Sequence, residues 1–111
     1  MTDQHIVVLV TTESTDFGVQ VGRQLVEEGL AACVQVVPGG TAIYRWRGQL
    51  KVERQAQLLI KTTGDAWEAV RARICELHPD EVPEVLALPV LDGLPAYLSW
   101  LSESVGAPGS S

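Results

Sequence analysis

The run His5-Ile6-Val7-Val8-Leu9-Val10-Thr11 is β-branched and almost continuously apolar, which predicts a strand buried on both faces. Polar positions then return. Thr15 and Asp16 offer N-caps for a helix reaching about Glu28, with Val21, Leu25 and Val26 on its apolar face and Gly29 placed to end it. Gly18 and Gly22 stand four apart in that helix, where glycine is costly. The spacing suits a face pressed close to a sheet, although an irregular first turn accounts for it too. Ala31 to Val37 alternates as a second strand, with Ala32, Val34 and Val36 on one side and Cys33, Gln35 and Val37 on the other. Pro38-Gly39-Gly40 is expected to stop it.

Alternation resumes from Thr41 to Arg47, setting Ala42, Tyr44 and Trp46 against Ile43, Arg45 and Arg47. A turn at Gly48-Gln49 and a long strand from about Leu50 to Thr63 complete a hairpin. The pattern changes to helical spacing at Trp67, Val70, Ile74 and Leu77. This helix is expected to start at Gly64-Asp65, with Glu68 closing a capping box on Asp65, and to end at His78-Pro79. Glu84 to Leu91 reads as the last strand, and Leu94 to Leu101 as a short closing helix with Pro95 in its first turn.

The order is strand, helix, strand, strand, helix, strand and a terminal helix. It predicts an α+β fold, a ferredoxin-like split βαβ sandwich with both main helices on one sheet face. Residues 1–105 form a single domain on this pattern, and residues 106–111, Gly106-Ala107-Pro108-Gly109-Ser110-Ser111, read as a flexible tail. The second sheet face is left without helices large enough to cover it, and oligomerisation is the economical answer.

Composition narrows the partners. The chain has 111 residues, 46% of them hydrophobic, enough for a core. Eight Lys and Arg against 14 Asp and Glu give a net charge of -6, which argues against a nucleic-acid binder. No apolar run approaches bilayer length and no signal-peptide pattern precedes Ile6, so neither membrane nor secretion has support. Cys33 and Cys75 are too few for a disulfide framework, and a reducing cytoplasm is the expected location.

Several stretches together resemble the CutA family of divalent-cation tolerance proteins. They are Leu30-Ala31-Ala32-Cys33-Val34, Val37-Pro38-Gly39, Ile43-Tyr44-Arg45-Trp46 with Gly48, and Ile60-Lys61-Thr62-Thr63. Glu76-Leu77-His78-Pro79, Val82-Pro83-Glu84, Ala87-Leu88-Pro89-Val90 and Tyr97-Leu98-Ser99-Trp100-Leu101 continue the series in order over roughly residues 6–104. The resemblance implies a ferredoxin-like homotrimer, similar in architecture to PII-type signalling proteins. It also implies a cytoplasmic location and a role in tolerance to divalent metals, with copper the ion most often linked to the family. Members proposed to hold copper through thiolates carry cysteines where this chain has Val10 and Arg73, so only Cys33 matches. Asp80 stands where tyrosine commonly follows His-Pro.

The candidate chemistry is sparse. His78, Cys33 and Glu84 are the candidate metal ligands. His78 lies amid Glu76, Asp80, Glu81 and Glu84, and imidazole with carboxylates suits zinc, nickel or copper(II). A C-capping histidine and a buried structural Cys33 are the plainer alternatives. Lys61, on an apolar strand, needs an acidic partner or an anionic ligand, and Glu84 is the expected partner. Lys61, His78 and Glu84 are therefore expected to share a cleft. Tyr44, Trp46, Tyr97 and Trp100 have the composition of an interface core and are assigned to the trimer interface. No nucleophile elbow, phosphate loop or activating histidine is evident, and His5 is expected to be solvated, so a catalytic role is not expected. The leading expectation is a non-enzymatic homotrimer that weakly binds a divalent cation, copper foremost, without an organic cofactor. The alternative is a PII-like trimeric signalling or scaffold module with a small ligand in an inter-subunit cleft.

Overall fold

The computed structural model describes residues 4–106. The tail expected over residues 106–111 lies, after Gly106, outside the described residues. The chain runs β1 (His5–Thr12), α1 (Thr15–Glu27), β2 (Cys33–Trp46), β3 (Gln49–Thr63), α2 (Trp67–Leu77), β4 (Val85–Pro89) and α3 (Pro95–Ser104). One antiparallel sheet in the order β2-β3-β1-β4 results, the ferredoxin-like arrangement that the pattern predicts.

Only one face of β1 is fully buried, because Ile6, Val8, Val10 and Thr12 alternate with the half-buried His5, Val7, Leu9 and Thr11. The continuously apolar run is therefore a strand of an antiparallel sheet with one closed and one partly open face, not one buried on both. β3 contributes Ala56, Leu58, Ile60 and Thr62 to the closed face, and Val21, Leu25, Val70 and Ile74 come down on it from α1 and α2. Val26, expected on the apolar face of α1, is exposed instead.

Gly18 and Gly22 let α1 lie against the sheet. A Cβ on Gly22 would stand 2.9 Å from Val34 Cγ1, and one on Gly18 would stand 3.0 Å from Leu58 Cδ2. The N-cap is Ser14, whose hydroxyl accepts from Phe17 N–H, one residue before the expected caps. The capping box on Asp65 does not form. Gly64–Ala66 is a turn of 3-10 helix with no side-chain cap, and α2 starts at Trp67.

Pro38-Gly39-Gly40 bends β2 without ending it. The register passes from Val37↔Gln57 to Gly40↔Gln55, three steps on β2 against two on β3, so one extra residue is accommodated as a bulge. Proline is tolerated because β2 is an edge strand. The hairpin then turns at Arg47-Gly48, one residue earlier than expected, with φ of 50° and 80° as a two-residue turn of positive φ requires.

The bulge changes which residues share a face. Before it, Val34 and Val36 pair with Ile60 and Leu58 and pack on the core. After it, Ala42, Tyr44 and Trp46 pair with Glu53, Lys51 and Gln49, the odd-numbered positions of β3 that continue the row of Lys61 and Leu59. The aromatics of the hairpin thus belong to the open side of the sheet.

Candidate functional site

The open side is built from cross-strand rows. Cys33, Lys61, Val7 and Leu88 form one row, and Gln35, Leu59, Leu9 and Leu86 form the next. Leu86 and Leu88 remain about half exposed, at 53% and 46%. Helix α3 lies over one end of this face. His5 Nε2 is 2.8 Å from Ser102 Oγ, Leu101 is buried, and the Lys61 ammonium sits 6.0 Å from the centroid of the Tyr97 ring. His5, expected to be solvated, is thus half-buried and ties β1 to α3.

The expected cleft residues separate into two groups. Lys61 is opposite Val7, near the start of β1, whereas Glu84 precedes Val85, which is opposite Val10. The offset of about four residues corresponds to about 13 Å along the strand. Among the described residues Lys61 has no ion-pair partner, so the Lys61–Glu84 pair is not made within one chain. His78 lies at the far end of β1, where it contacts Thr11. Cys33 stays with Lys61 as its cross-strand neighbour. No group of three or more His, Cys, Asp or Glu side chains is placed to hold a metal ion among the described residues.

His78 is buried, and both ring nitrogens are engaged. Nε2 is 2.7 Å from the Thr11 carbonyl and must donate, while Nδ1 accepts from Asp80 N–H at 3.1 Å. The neutral imidazole in this tautomer satisfies both contacts, with the Phe17 ring edge-on at 6.1 Å. A metal at Nδ1 has to displace the Asp80 amide. Glu84 is exposed, and Cys33 is half-buried. Cys75, beside the core residue Ile74, is exposed on α2.

Val10 is fully buried in the core, and Arg73 forms a bidentate pair with Glu28. Neither position retains a metal ligand.

All four aromatics assigned to the interface are partly exposed: Tyr44 36%, Trp46 40%, Tyr97 39% and Trp100 45%. The Tyr44 hydroxyl donates to Glu53, a contact that, together with burial, pushes the phenol up from its ordinary value. The hairpin tip is fastened by Arg47, whose guanidinium meets Glu81 at 2.9 Å and lies 5.6 Å from the Trp46 ring centroid. The pattern reading missed Ile43, Leu50 and Val52, which are 69%, 64% and 63% exposed and occupy the other face of the hairpin. Their signal was present in the sequence, where Leu50 and Val52 alternate with Lys51 and Ile43 shares the face of Arg45.

A concavity of 540 Å³ lies elsewhere, between Gln4, Leu30, Thr63, Asp65 and Val105, and contains none of the expected ligands. No helix among the described residues is long and apolar enough to cross a membrane.

Residues 6–104 match the family described as CutA1 divalent ion tolerance protein. A divalent-cation tolerance protein CutA from Thermus thermophilus is 46% identical over 100 residues, covering 90% of this chain and 97% of that protein. A Yersinia pestis protein of the same name is 43% identical, covering 90% and 84%. Among solved structures, the Thermus thermophilus divalent cation tolerance protein superposes with a TM-score of 0.89 at 45% identity, covering 92% of this chain and 99% of that one. CutA1 from Oryza sativa gives 0.90 at 36% identity, covering 94% and 95%.

Proposed function

This chain belongs to the CutA1 divalent ion tolerance family, and on that premise we propose that it is a non-enzymatic homotrimer in the cytoplasm. In this role it binds divalent metal weakly, copper foremost, and contributes to metal homeostasis. The observation that carries the assembly is the apolar open face, where Leu86, Leu88, Tyr97 and Trp100 remain exposed on one chain. Burying that surface against other copies gives the face the cover that α3 alone does not.

Weak metal binding follows from the donors. His78, Cys33 and Glu84 do not converge within one chain, so a multidentate site has to draw donors from more than one copy. His78 also has to exchange an existing hydrogen bond for the metal. Sedimentation equilibrium combined with calorimetric titration by copper(II) and zinc tests both parts. A stable monomer at micromolar concentration defeats the assembly, and no heat from either ion defeats the metal role.

A second reading, a trimeric module that binds a small ligand, draws support from one observation. Lys61 is a half-buried cation on an apolar face with no carboxylate paired to it among the described residues.

A further inference from the structure

We propose that the outward face of the β2–β3 hairpin docks on the Leu91–Leu94 turn of a second copy. This deepens the homotrimer reading and rests on it, while remaining independent of metal or ligand binding. The cross-strand pairs Thr41↔Arg54, Ile43↔Val52 and Arg45↔Leu50 put Ile43, Val52 and Leu50 on one face, between Arg54 and Arg45. All five of these side chains are exposed. Residues 41–54 carry Arg45, Arg47, Lys51 and Arg54 against Glu53 alone, in a chain whose net charge is -6. An exposed aliphatic patch bracketed by two cations calls for a partner that is both acidic and apolar.

The chain carries such a surface itself. Between β4 and α3, Leu91 is 100% exposed and Leu94 71%. Asp92 stands between them with no ion-pair partner among the described residues, and its Oδ1 accepts from Gly93 N–H at 2.8 Å within the turn. The turn leads directly into α3, which carries Tyr97 and Trp100, so it continues the face already assigned to assembly. A single chain cannot join the two patches. Val52 lies ten residues along β3 from Thr62, and Thr62 and Pro89 are both opposite Ile6, which sets the patches about 33 Å apart along the strands. Other pairings fit less well. Two hairpins face to face set Arg against Arg, and at the exposed Val82 the adjacent Glu81 is already held by Arg47. A contact between two unlike patches is heterologous and closes into a ring, the symmetry of a trimer and not of a two-fold dimer.

Sedimentation equilibrium of the assembled protein tests the contact. Asp92→Arg is expected to weaken association by about tenfold or more, and so is Arg45→Asp combined with Arg54→Asp, because each sets like charges together. All three changes in one chain are expected to restore most of the association, which a folding defect would not do. A second measurement places the patches. Val52→Cys with Leu91→Cys, in a chain also carrying Cys33→Ser and Cys75→Ser, is oxidised and run on non-reducing electrophoresis. Bands of two and three chain masses are expected, and each single cysteine variant should stay at one. Unchanged association in both charge variants overturns the proposal, as does a cross-link confined to one chain. A parent protein that remains a trimer under those outcomes leaves the homotrimer standing, whereas a monomeric parent defeats both.

Discussion

Arg73 on α2 holds both carboxylate oxygens of Glu28 at the end of α1, Nε to Oε1 at 2.9 Å and Nη2 to Oε2 at 2.8 Å. The pair joins the two helices that cover the closed sheet face. It occupies a position where the family resemblance places a thiolate in copper-binding members, so a possible ligand position has become a clamp. The hydrogen bonds from Arg73 hold the Glu28 carboxyl below its ordinary value, and the same contact raises the guanidinium.

The clamp has a pH signature. A carboxyl whose pKa is lowered by folding stabilises the native state above its unfolded value of 4.5 and loses that contribution as pH falls through the lower folded value. Glu28→Gln should therefore lower the thermal midpoint at neutral pH. Its deficit against the parent protein should shrink as the pH drops below 4.5. Thermal melts across that range check it, and a pH-independent deficit would assign the effect to packing.

Gly22→Ala tests the contact of α1 with the sheet. Helix propensity alone favours alanine by about 1 kcal/mol. The new Cβ meets Val34 Cγ1 at 2.9 Å, and overpacking of this kind costs about 1–3 kcal/mol. Net destabilisation is expected in denaturant unfolding. The cost should fall in a Val34→Ala background, where the opposing methyl groups are gone.

Trp46→Ala should weaken assembly by about 2 kcal/mol, the scale of an aromatic hot spot. Trp46 is 40% exposed in the single chain, and its ring lies 5.6 Å from the Arg47 guanidinium. Sedimentation equilibrium gives the comparison, and an unaltered assembly removes Trp46 from the interface core.

His78→Ala should act on stability before metal enters. It leaves the Thr11 carbonyl and the Asp80 amide without their imidazole partners, at a cost of about 1–3 kcal/mol in metal-free unfolding. In titrations with copper(II) or zinc it should also reduce affinity more than Cys33→Ser does. Tight copper(I) binding abolished by Cys33→Ser reverses that order and restores the thiolate.

Lys61→Met and Glu84→Ala should be additive in unfolding free energy within about 0.5 kcal/mol, because the strand register holds the two side chains apart. A larger coupling in the assembled protein, absent when it is dissociated, identifies a pair formed between copies.

The sequence by itself determined the order of the elements. The β-branched run from Ile6 to Val10 marks a strand, and Val70 and Ile74 carry the period of a helix; the spacing of Gly18 and Gly22 suited a close approach and an irregular first turn alike. These signals are local, since a side chain's direction follows from its neighbours within a turn or a pleat. Tertiary pairing decided the rest. The one-residue bulge after Val37 moved Tyr44 and Trp46 to the open side, because each residue inserted in a strand exchanges its two faces. The register of β1 against β3 and β4 separated Lys61 from Glu84. The Thr11 carbonyl, 67 positions from His78, receives the imidazole Nε2–H. Such contacts depend on which backbones align over long separations, and no short-range pattern encodes that alignment.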